Sequence, residues 1–128
     1  MPLVRVSLRR GKSKEHIAAI RNSIYRAMIE SFNVPNNDRF IVVHQHDAEE
    51  FDYDPNYLDI ARTDDLVIIQ IACNNTRTVE QKKAFYQRAA ELLGTEPGLR
   101  PQDVFINLLE TAKENWSFGN GIAQYAPK

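Results

Sequence analysis

Cysteine occurs once in these 128 residues, at Cys73, so no internal disulfide can form. Neither sign of charge is in excess: 16 lysines and arginines face 17 aspartates and glutamates, for a formal net charge of -1. That balance leaves no basic surface for nucleic-acid phosphates and no charged tail. No apolar run approaches the roughly 20 residues needed to span a membrane. The first residues lack the charged start and apolar core of a secretory signal. Glycine is scarce, at five residues, and neither a glycine-rich phosphate loop nor a G-x-S-x-G elbow is present. The expectation is one soluble cytoplasmic domain spanning residues 1–128, with no cofactor, metal, nucleic-acid or membrane partner.

What the chain does have is one pattern used twice. Leu3 to Leu8 reads as a strand, and Ser13 as the N-cap of a helix carrying Ile17, Ile20, Ile24, Met28 and Phe32 at helical spacing. "NVPNNDRF" breaks that helix and "FIVVHQH" follows as a second strand. "LVIIQIAC" begins the second half, and Thr78 with Gln81 forms a capping box before a helix bearing Phe85, Ala89, Leu92 and Leu93. "GTEPGLRPQD" ends it, and "VFINLLE" is the fourth strand. The junctions match as well, with Pro35 before Asp38 and Pro101 before Asp103.

Two β-α-β units, at about 2–46 and 65–110 with a C-terminal segment over 111–128, predict an α+β two-layer fold. Its mixed four-stranded sheet would carry both helices on one face. "LVIIQIAC" is apolar at positions facing both ways, and two helices cover only one side of a sheet. A partner subunit in a closed ring is the economical cover for the other.

The linker from Asp47 to Asp65 is acidic and rich in turn formers. Asp52, Asp54 and Asn56 alternate as in the opening of an EF-hand loop, but Tyr57 and Thr63 stand where that loop needs glycine and a bidentate glutamate. A solvated surface loop is expected. His44 and His46 share one face of a strand without a third ligand at recognisable spacing, and read as structural. Cys73, at the end of a buried strand, reads as a small core residue.

Three residues carry chemistry better. Pro2 is tolerated at the start of an edge strand; once Met1 is removed, it is also a rigid secondary amine of modest basicity. Arg77 immediately precedes the N-cap Thr78, where free backbone N–H groups and an arginine can together hold a carboxylate, although an exposed loop arginine is the commoner case. Asp38 serves as a turn residue or, if parallel pairing brings it near Pro2, as a carboxylate that keeps the amine protonated. A neutral Pro2 would act as base or nucleophile, a cationic one as acid or electrostatic anchor.

"MPL", "FNVPNNDRF", "TRTVEQKKAFY" and "ENWSFGNG", spread over nearly the whole chain, resemble the tautomerase superfamily, and within it malonate semialdehyde decarboxylase and its relatives. The resemblance implies the duplicated fold in a homotrimer, with Pro2 as the catalytic amine. Asp38 would activate water and keep the proline charged. Arg77 would match the second arginine of an R-x-R motif that binds the substrate carboxylate, and Trp116 and Phe118 would lie at an apolar wall. Asn75 stands where that motif has its first arginine, so one cation is missing for a substrate carboxylate or a developing enolate.

The expected function is acid–base proton transfer by Pro2 in keto–enol tautomerisation of a small oxo acid. Decarboxylation or hydration of a small oxo or acetylenic acid is the alternative, and a non-catalytic interaction protein retaining the fold is the third reading.

Overall fold

The computed structural model describes residues 2–128; the expected removal of Met1 concerns a residue outside them. Its main elements are β1 (Leu3–Arg9), α1 (Lys14–Phe32), β2 (Ile41–His46), β3 (Val67–Asn74), α2 (Val79–Thr95) and β4 (Val104–Thr111). Strand order is β2-β1-β3-β4, with β1/β2 and β3/β4 parallel and the central β1/β3 pair antiparallel. Each unit thus closes its own parallel pair, and the two units join through their first strands.

The local signals act as their chemistry dictates. The Ser13 hydroxyl accepts from His16 N–H at 3.0 Å, and Thr78 and Gln81 satisfy each other's backbone N–H at 3.1 and 2.9 Å. Asn33 ends α1 in the left-handed conformation (φ 55°), which asparagine tolerates better than most residues. Both helices lie on one face of the sheet. There Ile20, Ile24, Met28, Phe85, Ala89 and Leu93 pack onto Val4, Val6, Ile69 and Ile71, all buried. Phe32 and Phe85 stack between the helices with ring centroids 4.5 Å apart.

The opposite sheet face corrects one expectation. The outward positions of β3 are not uniformly apolar, because Gln70 sits there, exposed, between Arg5 on β1 and Asn107 on β4. This polar row, with a Gln70–Asn107 contact of 3.4 Å, separates two apolar rows, Ile68–Phe105 and Leu3–Ala72–Leu109. Phe105 and Leu109 keep 43% and 47% exposure, so the helices leave this face open. His44 also lies on it, with its ring nitrogen 3.1 Å from Arg5 Nη1.

The matching junctions diverge in three dimensions. Asp103 is buried and accepts from the backbone N–H and hydroxyl of Thr63 at 2.7 and 2.6 Å. Asp38, its counterpart in the first unit, has a buried Oδ1 with no hydrogen-bond partner among the described residues. In the linker, Asp54 accepts from Asn56 N–H, a local turn on the surface, and Arg62 donates to the carbonyls of Tyr57 and Ile60.

Candidate active site

Pro2 immediately precedes β1 and is buried at the sheet end. It opens onto a cavity of about 420 Å³ lined also by Leu3, Phe40, Trp116 and Phe118. The lining is mainly apolar, with Asn115 and Ser117 as its polar members. Residues 113–118 reach this place because a single 3-10 turn, Lys113–Asn115, folds the chain back after β4. The C-terminal segment then holds itself together. Trp116 and Phe118 stack with centroids 5.3 Å apart, Tyr125 packs edge-on to Phe118, and Gln124 accepts from Phe118 N–H while donating to the Gly119 carbonyl. Trp116 and Phe118 thus line the same cavity as Pro2.

Asp38, Arg77 and Asn75 are not part of that cavity lining. Asp38 lies in the turn before β2, and its carboxyl is pushed above the usual carboxylate range by burial. The positive charges of the amino terminus and of Arg77 act the other way. The Cys73 thiol is raised by burial, with Arg77 acting the other way.

Arg77 is half-buried. Its guanidinium donates to the Phe32 carbonyl at the end of α1 (3.2 Å) and lies over the Phe32 ring, 5.1 Å from the centroid. A cation at a helix C-terminus is favourable. Arg77 therefore ties the end of one helix to the start of the other, with Nη1 also 3.3 Å from the Thr76 hydroxyl. Asn75 is exposed, and its backbone N–H donates to the Thr111 carbonyl.

Two residues at the site went unremarked in the sequence. The Trp116 indole N–H is shared between Asn74 Oδ1 and Thr111 Oγ1, each at 2.9 Å. Asn74 ends β3 and Thr111 ends β4, paired in the same register. An asparagine and a threonine at strand ends carry no local signal for a tryptophan elsewhere in the chain.

The unpartnered carboxylate suggests a measurable trade-off. A raised native pKa means that folding favours the protonated form. The stabilisation is complete below the ordinary carboxylate pKa and is lost as pH rises through the higher native value. At neutral pH the charged Asp38 is thus a liability to the fold. Asp38→Asn should raise Tm at pH 7, and the difference from wild type should vanish below about pH 4. Thermal unfolding at both pH values checks this; an Asn variant less stable at pH 7 would show that the carboxylate is satisfied after all.

Comparison with known proteins agrees with the geometry. Two family models, each described as tautomerase enzyme, match residues 38–119 and 2–58. The probable tautomerase YusQ of Bacillus subtilis (strain 168) is 45% identical over 124 residues, covering 97% of this chain and 98% of that protein. A malonate semialdehyde decarboxylase, whose structures were described as a basis for decarboxylase and hydratase activities, has a TM-score of 0.90 and 31% identity over 96% of this chain and 95% of that one. A second, inhibited by 3-bromopropiolate, has a TM-score of 0.89 and 33% identity over 96% and 93%. With family models, near full-length relatives and a shared fold in agreement, the chain belongs to the tautomerase family of enzymes.

Proposed function

We propose that this protein transfers protons on a small oxo acid, with Pro2 as the acid–base group once Met1 is gone. One observation carries the reading: Pro2, buried at the sheet end, opens onto a mainly apolar cavity under Trp116 and Phe118. In keto–enol tautomerisation, Pro2 takes the proton from one atom of the substrate and returns it to another. Asp38 favours the protonated amine between the two steps. Arg77 holds the substrate carboxylate, to which it can offer N–H donors beyond the one spent on Phe32. The apolar wall keeps water from the reacting carbon and strengthens these charges.

Decarboxylation or hydration of a small oxo or acetylenic acid is the second reading. The likeness to two malonate semialdehyde decarboxylases across nearly the whole chain favours it. Asn75 weighs against it, since it supplies no positive charge for an enolate. A panel of enolpyruvates, oxo acids and propiolates, assayed with wild type and Pro2→Ala, separates the readings. If no Pro2-dependent activity is found on any member, the protein is a binding module that keeps the fold.

The enzyme also works as a homotrimer in this proposal. The open sheet face exposes Phe105, Leu109 and Val42, and closed cyclic assembly is the usual way such a face is covered. The resemblance in sequence selects three subunits. Sedimentation should give a particle of about three times the chain mass, 14.7 kDa. A stable monomer at micromolar concentration would refute the burial argument.

A further inference from the structure

The duplication supplies an internal control. Ser13 and Thr78, Asp38 and Asp103, and Phe40 and Phe105 occupy equivalent places in the two units. So do the 3-10 turns Ala48–Glu50 and Lys113–Asn115, each followed by an aromatic residue, Phe51 and Trp116 respectively. A second cavity of about 190 Å³, lined by Tyr53, Ile68 and Phe105, is the counterpart of the one at Pro2. Features found at the Pro2 cavity and absent from its counterpart point to what the Pro2 cavity requires.

The difference is the anchor of Trp116. In the first unit Arg9 and His46 stand where the second has Asn74 and Thr111, and the aromatic after the turn is Phe51, which has no donor. Arg9 pairs with Asp64, and the His46 ring packs near Phe51, with ring centroids 6.0 Å apart. In the second unit the Thr111 hydroxyl donates to the Cys73 carbonyl at 3.3 Å, which turns its lone pairs toward the indole. Asn74 is buried and presents Oδ1 to the same N–H. A bifurcated hydrogen bond from one N–H to acceptors on two neighbouring strands leaves the indole little freedom of tilt or slide.

We propose that Asn74 and Thr111 are positioning residues that hold the Trp116 ring as the wall of the Pro2 cavity, and so set the size of oxo acid that it accepts. Neither touches the reacting atoms. They act through Trp116, whose ring stacks on Phe118 and carries the constraint across the cavity wall. Loosening the wall should cost a small substrate its close fit and admit a bulkier one. The inference rests on the assignment of Pro2 as the acid–base group, and its test keeps the two apart.

Thr111→Val is isosteric and removes one acceptor; Asn74→Leu removes the other; Thr111→Ser keeps the hydroxyl. Trp116 is the only tryptophan, so acrylamide quenching of its emission reports the anchor without any substrate. Catalysis is followed by NMR in D2O as exchange of the C3 protons of pyruvate and of the bulkier phenylpyruvate. In Thr111→Val and Asn74→Leu, quenching should increase. kcat/KM for pyruvate should fall roughly ten-fold, the scale of a displacement well under 1 Å, with a smaller fall for phenylpyruvate. Thr111→Ser should restore both. Freer quenching with an unchanged ratio of the two substrates overturns the positioning role, and so does unchanged quenching in both variants. If Pro2→Ala exchanges protons as fast as wild type, or wild type exchanges neither acid, the Pro2 assignment fails and the role for substrate size falls with it, while the quenching result on the anchor stands.

Discussion

Pro2→Ala should lower kcat/KM by about two to four powers of ten on whichever oxo or enol acid proves the best substrate. The upper end is the whole contribution of a positioned acid–base group, about 5 kcal/mol of barrier, and the lower end reflects an amine that remains but is poorly directed. The substitution keeps an α-amine at the same place in the chain, because alanine is small enough for Met1 still to be removed. What it loses is the ring, which fixes the direction of the nitrogen lone pair beside the cavity under Trp116. A sterner comparison is the same protein with an extra N-terminal residue. An amide nitrogen at Pro2 has no basic lone pair, so that form should lose activity to a greater degree than Pro2→Ala. Intact mass spectrometry must accompany both assays, with loss of Met1 expected in the active preparation. Full activity in a form that retains Met1 would remove Pro2 from the mechanism.

Arg77→Ala should lower kcat/KM by roughly two to three powers of ten, the scale of a lost charge-assisted contact worth about 3–4 kcal/mol. The structure adds a complication. Arg77 also donates to the Phe32 carbonyl and covers the Phe32 ring, so part of any effect belongs to the junction of the helices. That share is separable, because one hydrogen bond at a partly exposed site contributes about 1 kcal/mol to stability. A modest fall in Tm together with a large rise in KM fits a carboxylate anchor. A fall in Tm with unchanged kinetics would reduce Arg77 to a brace between helices.

Asn75→Arg is the companion change. Asn75 is exposed, so the fold should tolerate a longer side chain there. The added cation stabilises developing negative charge more than a neutral ground state, so decarboxylation should rise relative to tautomerisation on one preparation of each protein. An unchanged ratio would mean that the missing arginine is not what separates this chain from the decarboxylases it resembles.

The sequence by itself determined the elements and their ends, because those depend on contacts within a few residues. Ser13, Thr78 and Gln81 cap their helices through neighbours three positions away, and the helical spacing of Ile20, Ile24 and Met28 marks a buried stripe whatever it packs against. The doubled order of strand, helix and strand followed from the same local signals. So did the nomination of Pro2 and Asp38, which rested on residue type and on the turn before the second strand. Only the tertiary structure decided which of two equivalent aspartates is held by the linker. Thr63, from the linker, satisfies Asp103, and no described residue does so for Asp38 Oδ1. It also turned the Arg77 guanidinium back to Phe32, forty-five residues earlier, placed Gln70 in a polar row across three strands, and set Asn74 and Thr111 on the Trp116 indole. A side chain's partner across the fold depends on strand register and on how two helices meet. Neither leaves a mark on the residues beside it in the chain, because hydrogen-bond partners are selected by distances of about 3 Å in space rather than by separation along the backbone.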